Sequence, residues 1–120
     1  MKDKLLEMAC TGKGTLRNSA ILVDADLAGV NLAGADLYGV DFSGSDLRGA
    51  CFAGASLEHA VLVSADLRGA DFTGGNLKCT NFNKEDCAET DFTGAYIRNT
   101  RFIDTDLCGA IGIKSTVEYI

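Results

Sequence analysis

From Leu22 onward, one large apolar residue falls at every fifth position. The series runs Leu22, Leu27, Leu32, Leu37, Phe42, Leu47, Phe52, Leu57, Leu62, Leu67, Phe72, Leu77, Phe82, Phe92, Ile97, Phe102 and Leu107. Cys87 is the single departure, so 18 repeats follow one another between Ala20 and Gly109 without an insertion. A period of five matches neither a helix face at 3.6 nor a strand face at 2. It fits a chain that turns a corner every five residues. Two residues after the large one, Gly stands in ten of the 18 repeats. That is the residue a type II turn favours at its third position, where φ is positive. Two residues before the large one comes a small residue, usually Ala, Ser, Thr or Val. Each unit therefore points one large and one small side chain inward and then turns.

Several units are nearly identical: Ala25-Asp26-Leu27-Ala28-Gly29, Ala35-Asp36-Leu37-Tyr38-Gly39, Ala65-Asp66-Leu67-Arg68-Gly69 and Ala70-Asp71-Phe72-Thr73-Gly74. They resemble the A(D/N)LXX motif of the pentapeptide-repeat family, and the resemblance covers about three quarters of the chain. It implies an all-β fold, a right-handed quadrilateral parallel β-helix with 20 residues per coil. The 18 repeats would then make about four and a half coils. Four sides have independent support in the aromatic residues. Phe42, Phe52, Phe72, Phe82, Phe92 and Phe102 are all spaced by multiples of ten, which puts them on two opposite walls of a four-sided coil. A 15-residue, three-sided coil would scatter them over every wall. Successive coils would lie ~4.8 Å apart, giving a solenoid ~22 Å long.

Solenoid ends expose unpaired backbone and core, so they need caps. The expected organisation is an N-terminal cap over 1–19, the β-helix over 20–109, and a C-terminal cap or dimerisation segment over 110–120. Asp3 to Ala9 suits a short helix ended by Gly12 and Gly14. Leu16 stands one residue out of register, which predicts a bulge where the first coil begins. Ile111-Gly112-Ile113 and Val117-Glu118-Tyr119-Ile120 could cover the last coil or pair with a second copy of the chain.

Stacking the sequence at 20 residues per coil turns it into a surface map. One wall carries Asp26, Asp46, Asp66, Asp86 and Asp106 in a column, with Arg48 and Arg68 beside them. Like charges on neighbouring strands repel, and the two arginines offset part of this. The column reads either as side chains bonding local backbone or as an acidic stripe for a basic partner or loosely held cations. The wall of Leu32, Phe52, Phe72 and Phe92 is lined outside by small residues such as Ala33, Gly34, Ala53 and Gly54. The wall of Leu22, Phe42 and Leu62 shows Val23, Val61 and Val63 outward. The fourth carries Tyr38, Glu58, His59, Lys78, Tyr96 and Arg98. His59 is the only histidine, and Cys79 would lie one coil above it. No third orienting residue or oxyanion motif completes a nucleophile there. Glu85 occupies a small inward position. Burying an unpaired carboxylate is costly, so the expectation is a local distortion that lets Glu85 reach solvent.

Composition sharpens the functional classes. The chain has 120 residues, no Pro, no Trp and a net charge of −6. Residues 20–109 alone hold 14 acidic and six basic side chains, a net of −8. An acidic body opposes direct nucleic-acid binding, which needs Lys and Arg to displace counterions. It suits a protein partner with a basic surface. Five cysteines at irregular gaps make neither a disulfide framework nor a zinc motif. No apolar run approaches the ~20 residues that span a membrane. The charged start at Met1-Lys2-Asp3-Lys4 lacks a signal-peptide core. The expectations are a cytoplasmic chain (exported or luminal if a targeting peptide was removed) with no catalytic residues, cofactor or metal. Its leading role is a non-enzymatic protein-interaction scaffold, with a homodimer through a solenoid end as one partner arrangement. The family resemblance implies a second role: some members imitate B-DNA and bind DNA gyrase or topoisomerase IV.

Overall fold

The computed structural model describes residues 16–19 and 22–113. Backbone bridges pair each coil in parallel with the next at an offset of 20 residues, from Asp26↔Asp46 to Asp91↔Ile111. Four five-residue sides therefore complete one coil. The first wall is centred on Leu22, Phe42, Leu62, Phe82 and Phe102, and the second on Leu27, Leu47, Leu67, Cys87 and Leu107. Leu32, Phe52, Phe72 and Phe92 centre the third, and Leu37, Leu57, Leu77 and Ile97 the fourth. Nearly all of these side chains are buried, as are most of the small residues two positions before them.

One side shows how the backbone is satisfied. The Asp46 amide donates back to the Ala25 carbonyl (2.9 Å), and the Leu47 and Gly49 amides donate forward to the Asp66 and Arg68 carbonyls (2.8 and 3.0 Å). The Ala50 amide closes the corner on the Leu47 carbonyl (3.0 Å). The fifth amide, that of Arg48, is met by a side chain, Asp46 Oδ1 at 3.2 Å. The corner residue has positive φ in every repeat from Asp24 to Gly109. Ten of these residues are Gly. His59, Ser64, Cys79, Lys84, Glu89, Asn99, Asp24 and Asp104 take the same conformation at φ 56–62°. For an L-residue that conformation costs ~1–2 kcal/mol, so the ladder imposes the corner even where the sequence does not favour it.

Aromatic rings fill the middle. Phe52, Phe72 and Phe92 stack face to face at centroid spacings of 4.8 and 5.5 Å, and Phe82 stacks on Phe102 at 5.2 Å. The two walls meet edge to face, as in Phe72–Phe82 at 5.5 Å and Phe42–Phe52 at 5.8 Å. Toward the C-terminus, threonines replace alanine at the small inward position. Thr80, Thr90, Thr100 and Thr105 each donate Oγ1 to a main-chain carbonyl 23 residues back, which satisfies the buried hydroxyl.

Near the N-terminus, Leu16 is buried and its turn is closed by Ser19 (3.0 Å). The Asn18 amide donates to the Tyr38 carbonyl, an offset one longer than that between Gly39 and Glu58. The pairing offset expected near Leu16 is thus present between Asn18 and the following coil. The helix expected at Asp3 to Ala9 lies outside the described residues, as does the segment from 114 to 120.

Two stability predictions follow from this packing. Phe72 is enclosed by Phe52, Phe82 and Phe92, so Phe72→Ala should destabilise by roughly 3–5 kcal/mol in denaturant unfolding. An unchanged midpoint would contradict the stack. Ser64 is exposed at φ 61°, and Ser64→Gly should stabilise by roughly 0.5–1 kcal/mol, since relieved strain exceeds glycine's entropy cost. A loss of stability would contradict the imposed corner.

Candidate functional site

The second wall brings Asp26, Asp46, Asp66, Asp86 and Asp106 into one column through successive backbone bridges. Local geometry sets each carboxylate. Oδ1 of Asp46, Asp66, Asp86 and Asp106 accepts the amide two residues on, at 2.9–3.2 Å. Asn31, Asn76 and Asn81 make the same bond elsewhere, as do Asp71 and Asp91, whose loops also use Thr73 and Thr93.

The second oxygen is differently engaged. Asp46 Oδ2 meets Arg48 Nη2 at 2.6 Å, and Asp66 Oδ2 meets Arg68 Nη2 at 2.6 Å. Each guanidinium also reaches up one coil, Arg48 Nε to Asp66 at 3.9 Å and Arg68 Nε to Asp86 at 3.7 Å. Three carboxylates are thus laced by two arginines, and the side chains stay 29%, 31% and 43% exposed at Asp46, Asp66 and Asp86. The Arg48 side-chain bond holds the Asp46 carboxyl at about 2, and Arg68 lowers Asp66 in the same way. Asp46 and Asp66 are therefore ionised across the physiological range.

The other candidate residues separate. His59 packs edge-on against Tyr38 at 5.5 Å, and Arg17 lies over the Tyr38 ring at 4.6 Å from its centroid while pairing with Asp36. His59 and Cys79 stand one coil apart, each at a corner with positive φ. Lys78 reaches Glu58 at 3.8 Å. Among the described residues, no group of three or more His, Cys, Asp and Glu is placed to hold a metal ion. Cys51, Cys79, Cys87 and Cys108 are free thiols.

Glu85 corrects the sequence expectation. It does not reach solvent: the residue is 4% exposed and its Oε2 is buried without a hydrogen-bond partner. Oε1 receives only a 3.4 Å contact from the Ala65 amide, which already donates to Leu62 at 3.0 Å. Ala65, small and one coil below, leaves space for the longer side chain. Burial pushes the carboxyl up to about 9, so the acid is accommodated in its neutral form, which avoids the larger cost of a buried charge. Burial likewise raises the Cys87 thiol, leaving it unreactive.

The sequence matches the family model described as Pentapeptide repeats (8 copies) over residues 18–49, 50–84 and 86–111. Among solved structures, the chain is similar to Rfr23, a pentapeptide repeat protein from the cyanobacterium Cyanothece 51142. The identity is 25% and the TM-score 0.68, over 69% of this chain and 56% of that one. It is also similar to alr5209, a pentapeptide repeat protein from Nostoc Pcc 7120, at 23% identity and TM-score 0.54, over 93% and 87%. A pentapeptide repeat protein from the Arabidopsis thaliana thylakoid lumen matches at 33% identity and TM-score 0.44, over 75% and 66%. The chain spans 56% of the length of the Rfr23 chain. Among curated proteins none matches the sequence.

Two predictions test this site. Asn makes the same loop bond as Asp, so Asp46→Asn with Asp66→Asn should melt at the parent's midpoint. A large drop would show that the charge itself holds the fold. For Glu85, folded and unfolded chains are both protonated below about 4.5. Between there and about 9 only the folded chain keeps the proton, so stability falls as pH rises across that window. Glu85→Thr, which copies the inward threonines, should gain on the order of 3 kcal/mol at pH 7. It should also lose most of the parent's slope between pH 5 and 9. Parallel curves for the two proteins would contradict this.

Proposed function

The chain belongs to the pentapeptide-repeat family of right-handed quadrilateral β-helices, and from that premise we propose that it is a non-enzymatic interaction scaffold. Its contact surface is the acidic second wall, and its partner is a protein with a basic surface. One observation carries this reading. The loop bond needs only a side-chain oxygen, and Asn supplies it at Asn31, Asn76 and Asn81. On the second wall all five positions are Asp. Local geometry accounts for the oxygen and leaves the charge to be explained, in a place where stacked like charges oppose stability. The Arg48 and Arg68 forks limit that repulsion and leave the wall, with Glu89 at its corner, net negative by four. A cytoplasmic setting suits the free thiols.

The arginine lacing also favours a scaffold over imitation of DNA. A phosphate-like array requires uninterrupted negative charge, whereas Arg48 and Arg68 sit within the middle of this one.

Affinity capture from extract of the native cell tests the proposal. Parent protein is compared with Asp26→Asn plus Asp106→Asn, and with Asp71→Asn plus Asp91→Asn on the third wall. The first pair should lose retained proteins that the second keeps, and the difference should shrink in high salt, where exposed charges are screened. Identical retention by all three would overturn the proposal. Inhibition of DNA gyrase supercoiling by the parent but not the first pair would replace it with the DNA-mimic reading.

A further inference from the structure

The Lys84–Cys87 segment departs from the regular backbone ladder of the solenoid. Asp66 and Asp106 donate their amides to the carbonyls of Ser45 and Glu85 (3.0 and 3.1 Å), whereas the Asp86 amide falls short of full hydrogen-bond geometry to Ala65 although Asp66 and Asp86 remain bridged. The Ser64 amide reaches the Asn83 carbonyl only at 3.3 Å. Lys84, at the corner, is exposed and held at φ 56°, a conformation unfavourable for Lys. Inside the same segment, Glu85 is buried with Oε2 unpartnered. A weakened ladder, a strained corner and an unsatisfied buried acid thus coincide around Glu85.

We propose that Glu85 is a proton-operated latch. With its proton on, the neutral carboxyl packs between Ala65 and Thr105 and the coil stays closed. When the proton leaves to solvent, the carboxylate cannot remain in an apolar interior without a partner. The Lys84–Cys87 segment then opens and carries Glu85 to water. No cation waits inside to hold the charge. Asp66 and Cys87 face Glu85, Asp86 and Lys84 flank it in the chain, and Asp106 lies above Cys87. The nearby carboxylates disfavour ionisation in place, while Lys84 is exposed and available to the carboxylate once it has emerged. The cost of opening is low because two of the bonds that secure other sides are absent or long here. Opening also displaces Asp86, whose carboxylate meets Arg68 at 3.7 Å, so one buried proton sets the continuity of the acidic wall. The latch itself does not depend on what that wall binds.

Cys87 reports the opening, because it is fully buried two residues from Glu85. Iodoacetamide labelling of Cys87 in the full chain, followed by peptide mass spectrometry from pH 6 to 9.5, gives a rate for parent and for Glu85→Gln. Their ratio at each pH cancels the intrinsic thiolate dependence. Gln is isosteric with the neutral acid, and Glu85→Thr serves as reference if Gln does not fold. The expected ratio rises about tenfold per pH unit toward pH 9, following the ionised fraction. The Glu85 carboxyl carbon should titrate well above pH 7 by NMR. A flat ratio overturns the latch, and so does a carboxyl that titrates near its ordinary value.

Discussion

Each five-residue side has five main-chain amides, and the fold depends on where they go. Four find carbonyls: one on the coil below, two on the coil above and one across the corner. The fifth lies on the outer face, where on most sides a side-chain oxygen two residues earlier accepts it. Buried or half-buried amides left unpaired are expensive, so this allocation repeats with the chain. It accounts for the polar letter of the motif, as the inward Leu and Phe account for its apolar letter. On one side where the polar residue is lost, the coil below supplies the oxygen instead. Arg101 replaces the Asp or Asn of its side, and the Ile103 amide takes Asn83 Oδ1 from the coil below at 2.9 Å.

This allocation separates what the fold requires from what it merely permits. It favours an oxygen at the outer position, tolerates Cys51 and Val61 there, and is indifferent to the oxygen's charge. It requires positive φ at the corner and obtains it from Glu89 or Cys79 as well as from Gly. The uniform Asp column on the second wall exceeds these requirements, and so does the carboxyl of Glu85. Each places an ionisable group where a neutral residue would serve the fold at least as well. The wall limits the penalty with Arg48 and Arg68, and the core limits it by keeping Glu85 protonated. Stability given up at defined positions is the physical trace on which the functional reading rests.

The period of five, the placement of the Phe residues and the column of aspartates could all be read from the chain, because each is a property of spacing. Three features could not. Non-Gly corners such as His59, Cys79 and Glu89 carry no sequence signal for positive φ, since the ladder above and below imposes it. The threonine bonds 23 residues back depend on coil-to-coil contact that spacing alone does not reveal. Glu85 was expected outside because an ionised carboxylate would have to be. The relevant species is the neutral acid, beside an alanine that leaves it room. The surface role of the acidic wall was legible as charge, but its independence from the loop bond emerged only from the shared geometry of Asp and Asn.

The central claim is that a 20-residue coil assembles a recognition face from residues far apart in sequence. Inserting repeats tests it directly. A second copy of Ala55–Gly74 adds one full coil and leaves every wall in line. A second copy of Ala70–Gly74 adds one side and rotates all later residues by one wall, parting Asp86 and Asp106 from Asp26, Asp46 and Asp66. Both proteins should retain the β-helix by circular dichroism and cooperative melting. Retention of partners from native extract should survive the full-coil insertion and fall sharply with the single-side insertion. Equal retention by the two would contradict the account, because recognition would then not depend on the aligned column.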